Sequence, residues 1–383
     1  MIRRLYINNF RCLENFDLNL SGQSSALLIG KNGSGKTTVS LALEVLQKIA
    51  RGTNGVQDLL GVYDFYLSRT DAPIRFEIET DLGGTHYEYI IAIELEDGSK
   101  EMRVREESLT TGGNLVFARR YMPSVVAVPG SEADRQSLRF NRPGVPQPRQ
   151  VDINRRLVAL PIIQEQSTED PLFVFKRWLA QMLILRPVPS LIKGGSDRET
   201  LQLLPEVSDF GAWFSGLLAL APGAYLKIEE YLRLVMPDFK DIKNPLVGKD
   251  ARNLLVQFSN GNATLSLDFK DLSDGEKCFM ICAMVLAANH AYGPLLCFWD
   301  EPDNYLAPSE VGHFVMDLRK AFQSGGQFIA TSHNPEAILQ FSDENTFVLH
   351  RKSHLEPTVV RPLSDLNVGG DLVTALITGD LEP

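Results

Sequence analysis

Apolar positions along the chain recur with two periods, and the switches between them mark out the elements. "LYINNF" (residues 5–10) and "ALLIGK" (26–31) are short apolar strands, and the second runs straight into the Gly-rich stretch "GKNGSGKTT". Residues 36–50 then place Val39, Ala42, Val45, Leu46 and Ile49 at helical spacing, so strand, loop and helix follow one another. A period of two takes over in "IRFEIET", "HYEYIIAIELE" and "KEMRVREESL", which are separated by "DLGG" and "EDGS". This alternation predicts an antiparallel meander with tight turns.

From about 121 to 150 the chain carries Pro123, Pro129, Pro143, Pro146 and Pro148, which predicts irregular structure. Helical spacing returns in "DPLFVFKRWLAQMLIL" (170–185), "FGAWFSGLLAL" (210–220) and "AYLKIEEYLRLVM" (224–236). A strand pair, "ARNLLVQFSN" and "ATLSLDFK", leads into "LSDGEK" at 272–277. A nearly all-apolar helix (Glu276 to His290) follows, then the strand "LLCFW", a helix near 309–322 and the strands "QFIAT" and "TFVLHR". Continuous apolar strands alternating with helices indicate a parallel sheet covered on both faces. The chain therefore divides into 1–120, with the Gly-rich loop and the meander, 121–262, an Arg/Pro-rich loop and mainly helical insertion, and 263–383, a second α/β lobe.

Composition narrows the class. With 44% hydrophobic and 22% charged residues in 383, the chain is neither disordered nor a coiled coil. Its longest apolar run, Cys278 to Ala288, is too short to cross a bilayer, and Asn8, Asn9 and Arg11 interrupt any signal peptide at the start, so a cytoplasmic protein without a membrane partner is expected. The scattered Cys12, Cys278, Cys282 and Cys297 fit buried thiols in a reducing compartment. Cys278 with Cys282, and His350 with His354, lack the second pair a zinc site needs.

A net charge of −10 argues against a nucleic-acid-binding coat. Between residues 119 and 156, however, eight arginines (Arg119, Arg120, Arg135, Arg139, Arg142, Arg149, Arg155, Arg156) face three acids (Glu132, Asp134, Asp152). The segment is either a solvated Pro-rich loop or a surface for phosphates or a partner's carboxylates.

The chemistry concentrates in four places. Gly30, Gly35, Lys36 and Thr37 meet the pattern G-x-x-x-x-G-K-[ST], which chance supplies in on the order of one chain in a hundred of this length. Glycines let backbone N–H groups approach phosphates, the helix start adds partial positive charge, Lys36 reaches the β/γ-phosphates and Thr37 offers a hydroxyl to Mg²⁺. "LLCFWDEPD" ends an apolar strand in two acids, so Asp300 can hold Mg²⁺ through water and Glu301 can polarise an attacking water. His333 in "QFIATSHNP" follows another apolar strand and can meet the same phosphate or water. Ser273 with Asp274, Gly275 and Glu276 makes a helix N-cap whose end can face an anion, although a plain capping box has the same spelling.

In this order "NNFRCLENF", "GKNGSGKTT", "LSDGEK", "LLCFWDEPDNYLAP" and "QFIATSHNP" resemble an ABC-type ATPase of the branch containing SMC proteins, RecF and the OLD family. The likeness is strongest to the stand-alone ATP-binding proteins of that branch found in anti-phage systems such as Septu and PARIS, and it covers roughly the first 120 and last 120 residues. It implies an α/β ABC-ATPase P-loop fold with a mixed central sheet, an antiparallel β subdomain and a helical insertion. It also implies ATP and Mg²⁺ as ligands, with Gly30, Lys31, Asn32, Gly33, Ser34, Gly35, Lys36, Thr37 and Thr38 around the nucleotide. Two subunits would meet head to tail, Ser273 and Gly275 touching the partner's γ-phosphate and Asp303 crossing the dimer interface. Arg11 would touch the nucleotide, and Gln164 or Gln166 would serve as the Q-loop glutamine.

Asp274 stands where the family usually has a second signature glycine, and no coiled coil fills the insertion. The resemblance implies an ATPase switch acting with an effector nuclease or toxin. The alternatives are a RecF-like repair ATPase on duplex DNA, a transporter's ATP-binding subunit, and an ATP sensor that does not hydrolyse.

Overall fold

The computed structural model describes residues 1–96, 101–120, 135–141 and 149–366. From the N-terminus the chain forms strands β1 (Ile2–Asn8), β2 (Phe16–Asn19) and β3 (Ser25–Ile29), then helices α1 (Lys36–Ala50) and α2 (Val56–Leu59). Six strands follow: β4 (Ile74–Leu82), β5 (Thr85–Leu95), β6 (Met102–Thr111), β7 (Asn114–Arg120), β8 (Arg135–Phe140) and β9 (Arg149–Asn154). Next come α3 (Pro171–Ala180), β10 (Leu183–Leu185), β11 (Gly195–Ser196), α4 (Phe210–Leu220) and α5 (Ala224–Val235). The chain continues through β12 (Phe239–Lys243), β13 (Leu246–Val247), β14 (Ala251–Asn253), β15 (Leu255–Asn260) and β16 (Ala263–Asp268). It closes with α6 (Asp274–Tyr292), β17 (Leu296–Asp300), α7 (Pro308–Gln323), β18 (Gln327–Thr331), α8 (Pro335–Ile338), β19 (Thr346–His350) and β20 (Val359–Pro362).

These elements gather into two compact units, one of 1–23, 30–180 and 347 onward, the other of 24–29 and 181–346. The first unit carries the predicted meander, extended to eight strands in the order β2-β1-β4-β5-β6-β7-β8-β9. Its alternation is physical: Ile74, Phe76 and Ile78 on β4 are buried with Arg75 and Glu77 between them, and Tyr87, Tyr89, Ile91 and Ile93 are buried on β5. Phe175 of α3 packs its ring on Tyr87 and Tyr89 at centroid distances of 6.0 and 5.6 Å. The same unit holds the antiparallel hairpin β19–β20.

Part of the segment expected to be irregular is a ladder: β8 and β9 pair from Arg135–Asn154 to Phe140–Arg149. Residues 121–134 and 142–148, with all five prolines and Arg142, lie outside the described residues. The arginines divide unevenly. Arg119 is fully buried and gives Nε and Nη2 to Glu107, at 3.0 and 2.7 Å. Glu107 also accepts from the backbone of Ala159 and Leu160 and from the Tyr89 hydroxyl. Arg155 is buried against Glu94, and Arg156 pairs with Glu101. Three of the eight arginines are thus committed to this chain's own acids, while Arg120, Arg139 and Arg149 are exposed.

The second unit is built on the parallel strands β10, β17, β18 and β3, hydrogen-bonded in that order. The stretch "MLIL", expected to continue a helix, is β10, because α3 stops at Ala180 and the apolar Leu183 to Leu185 pair with Cys297 to Trp299. Helix α6 is apolar on every side and buried accordingly; even Lys277 is enclosed, donating to the Pro189 carbonyl at 3.1 Å. Two small antiparallel sheets, β11-β14-β13 and β12-β15-β16, complete the unit. No helix among the described residues is long and apolar enough to cross a membrane.

Candidate functional site

The Gly-rich loop belongs to the first unit. Gly30 (φ 152°), Gly33 (φ 78°) and Gly35 (φ 100°) all have positive φ. A Cβ on Gly30 would sit 2.2 Å from the Leu349 carbonyl oxygen, and one on Gly35 would sit 2.8 Å from Thr358 Oγ1 and 2.9 Å from Cys12 Sγ. Conformation and space together therefore demand glycine at both positions. Helix α1 begins behind Gly35 with no side-chain cap and no acid in its first turn, while Lys48 occupies its last. A helix start of this kind leaves N–H groups and partial positive charge for an anion. Buried Lys36 donates from Nζ to the Gly30 carbonyl at 2.8 Å, so its ammonium lies inside the loop, while Thr37 is exposed beside it.

Sequence reasoning missed the support of this loop. Thr358, at the end of the β19–β20 turn, donates from Oγ1 to the Ser34 carbonyl (2.9 Å) and from its backbone N–H to the Cys12 carbonyl (2.9 Å). Cys12 Sγ in turn lies 3.4 Å from Thr38 Oγ1. Nothing in one sequence flags Thr358, which follows Pro357 more than 300 residues from the loop it braces. Arg11 has φ 54° and its guanidinium donates to Asp64 at 2.9 Å, so any nucleotide contact must compete with that pair. Gln164 and Gln166 are both exposed.

The acids, the histidine and the signature belong to the second unit. Register aligns Leu28, Thr331 and Asp300 on neighbouring parallel strands, and the chain leaves β3 at Ile29 directly into the Gly-rich loop. Thr331 donates from Oγ1 to Asp300 Oδ1 at 2.6 Å and accepts from the Glu301 N–H at 2.9 Å, fixing both acids to one strand end. Glu301 itself is left-handed (φ 52°), a conformation a non-glycine residue adopts at a cost of about 1–2 kcal/mol. Its Oε2 accepts from Asn304 Nδ2 at 2.6 Å, and its Oε1 lies 3.5 Å from His333 Nε2, with both side chains part-exposed. A strained, solvent-facing carboxylate beside an imidazole is an arrangement that can take a proton from water.

Asp303, which the resemblance sets at a dimer interface, has its carboxylate buried in its own chain (6% exposed). Ser332 Oγ donates to its Oδ2 at 3.0 Å and accepts from the Asn334 N–H at 2.9 Å, which fixes the turn carrying His333. Burial, opposed by the Ser332 bond, pushes the Asp303 carboxyl up to about 6. The exposed members of the loop are Asn304 and Tyr305.

Ser273 forms a closed capping box: its Oγ accepts from the Glu276 N–H and donates to Glu276 Oε2 at 2.7 Å, and its own N–H reaches the same oxygen. Unlike α1, this helix start carries two acids, Asp274 and Glu276. Gly275 packs closely, since a Cβ there would lie 3.0 Å from the Tyr305 carbonyl. Among the described residues no group of three or more His, Cys, Asp or Glu side chains could hold a metal, and burial pushes the Cys278 thiol up to about 12.

Residues 25–339 match the family described as AAA domain, putative AbiEii toxin, Type IV TA system. The chain belongs to that family. This AAA-domain chain is similar to the crystal structure of an SmcHead bound to the C-winged helix domain of ScpA, at 15% identity and a TM-score of 0.54, over 95% of this chain and 98% of that one. Weaker likenesses are the SMC head domain from Thermotoga maritima (12% identity, TM-score 0.45, 94% and 98% covered) and an Smc head domain with an extended coiled coil derived from Pyrococcus furiosus (13%, 0.47, 95% and 97%). No curated protein matches the sequence. The family is one of AAA domains and the fold is that of an SMC head domain, with the α/β architecture the motifs imply.

Proposed function

We propose that this chain binds and hydrolyses ATP as a dimeric switch, and that the state of the dimer is passed to an effector nuclease or toxin in anti-phage defence. The observation that carries the ATP reading is the start of α1: uncapped, free of acids, preceded by left-handed glycines and enclosing the Lys36 ammonium. That arrangement suits an anion such as a polyphosphate. In the proposed reaction Lys36 exchanges the Gly30 carbonyl for a phosphate oxygen. The Thr37 hydroxyl and, through water, the Asp300 carboxylate are oxygen donors of the kind Mg²⁺ takes, and Mg²⁺ supplies neutralisation of the phosphate charge. Thr331 holds Asp300 in place, Glu301 accepts the proton of the attacking water, and His333 orients Glu301 and faces the γ-phosphate.

Ser273 and Gly275 of one copy would close on the nucleotide of the other, with the Asn304–Tyr305 corner facing the partner and Asp303 supporting it from within. The family's description as a toxin of a type IV toxin–antitoxin system supports the defence setting. A RecF-like grip on duplex DNA through residues 119–156 is less favoured, because Arg119, Arg155 and Arg156 are engaged by Glu107, Glu94 and Glu101.

The test is Glu301→Gln. The variant should retain ATP binding, lose roughly 10²–10⁴-fold in phosphate release, and accumulate as a dimer in size-exclusion chromatography with ATP. Phosphate release equal to that of the unaltered chain would overturn the assignment.

A further inference from the structure

Strand β16 is the outer strand of the small sheet β12-β15-β16, and among the described residues no backbone group bonds to its free edge. An edge of unbonded N–H and carbonyl groups is a template for another strand, and natural edges are commonly blunted by charge. The outer strands β9 and β12 follow that rule, with Arg149 and Asp152 on the first and Lys240, Asp241 and Lys243 on the second. β16 does not: from Ala263 to Leu267 it carries no charge, and its first four residues are exposed. The apolar face of the sheet also runs out from cover along this strand. Phe239 and Ile242 on β12 and Val256 and Phe258 on β15 are buried, yet Leu265, paired with Phe258 on the same face, is 55% exposed.

We propose that β16 pairs antiparallel with β16 of a second copy of this chain, about a two-fold axis through Leu265, joining two three-stranded sheets into one. Opposed residues of such a pair lie on the same face, and the sequence is self-complementary in this register. Leu265 meets its own counterpart, Ala263 faces Leu267, Thr264 faces Ser266 and Asn262 faces Asp268. Apolar pairs therefore fall on one face, hydroxyl pairs fall on the other, and no like charges meet, as a stable ladder requires. Ser266 Oγ already accepts from Gln257 at 2.9 Å, which leaves its proton for the Thr264 hydroxyl across the axis. Six residues of edge bury less than the roughly 1,600 Å² of a standard interface, so the contact is weak by itself. It belongs to the second unit and does not depend on ATP hydrolysis.

Sedimentation of the full chain without nucleotide tests it, so that a nucleotide-dependent dimer contributes nothing. A reversible monomer–dimer equilibrium that Leu265→Lys weakens tenfold or more, by setting two ammonium groups opposite each other on the axis, supports the proposal. A dimer that Leu265→Lys leaves unchanged overturns it. A chain that stays monomeric up to roughly 0.2 mM also overturns it, in favour of another protein's strand on the same edge. Thiol cross-linking reads the register separately, because opposed residues have Cα atoms about 4.5–5.5 Å apart, within reach of a disulfide. Under oxidising conditions Leu265→Cys should give a covalent dimer, and Ala263→Cys, displaced along the strand from its counterpart, should not; the four native thiols are buried. Absent cross-linking, or equal cross-linking at both positions, overturns the pairing, and this measurement decides if thermal melting shows that Leu265→Lys has not folded.

Discussion

Replacing Asp303 by asparagine should make the protein more stable above pH 6 while leaving its activity in place. In the fold the carboxyl titrates near 6 rather than at its ordinary 3.8, chiefly because burial penalises its charge. Between those values the native state holds a proton that the unfolded chain has released, so stability falls as pH rises through about 6, and the penalty is complete above it. The difference corresponds to about 3 kcal/mol, which solvent near the loop reduces to roughly 1–3 kcal/mol. Asparagine is neutral at every pH and its carbonyl oxygen can still accept from Ser332. Urea unfolding followed by tryptophan fluorescence reads the right region, because Trp213 and Trp299 are buried in the same unit. The expected result is a gain of about 1–3 kcal/mol for Asp303→Asn at pH 8 that shrinks towards zero near pH 4. Phosphate release should stay close to that of the parent, since asparagine keeps the Ser332 bond and thereby the turn that carries His333. A variant less stable than the parent at pH 8, or an offset that does not change between pH 4 and pH 8, would refute the reasoning.

Two further outcomes follow from the geometry. Arg119→Ala leaves Glu107 charged and buried, so urea unfolding should show a loss of about 3–5 kcal/mol, while duplex DNA binding and its salt dependence stay as they were; a selective loss of DNA affinity at full stability would return Arg119 to the surface role its sequence context suggested. Mixing Lys36→Ala chains with Ser273→Arg chains should restore one complete composite site per heterodimer, measurable as phosphate release that neither variant shows alone, and a mixture as inactive as its parts would count against sharing of the nucleotide between copies.

What the sequence announced and what it hid differ in physical kind. The Gly-rich loop is legible because its chemistry is local: positive φ, close backbone approach and a helix start all fall within nine residues, 30–38. The β4–β6 meander is legible because half-burial imposes a period of two on side chains. Strand β10 was hidden because three apolar residues carry no period, and only pairing with Cys297 to Trp299 makes them a strand. Arg119 and Glu107 looked like surface charges, since their burial depends on the backbone of Ala159 and Leu160 arriving from another part of the chain. The bracing of the loop by Thr358 and Cys12 was hidden for the same reason.

The two helix starts also differ in a way that orders the proposed cycle. At α1 no side chain caps the helix start and the first turn carries no acid, so a phosphate gains the helix field without displacing a carboxylate. At α6 the Ser273 hydroxyl and N–H are satisfied by Glu276, and two carboxylates offset the field. A phosphate reaching Ser273 must displace the Glu276 carboxylate from bonds each worth about 1 kcal/mol and overcome like charge. Nucleotide should therefore load on the Gly-rich loop of a single chain first, and closure by a second chain's Ser273 should follow only when the bound phosphates are neutralised. In the proposed cycle a dimer formed in that order would report an intact, metal-neutralised triphosphate, and a diphosphate left after hydrolysis would hold the capping box open less well.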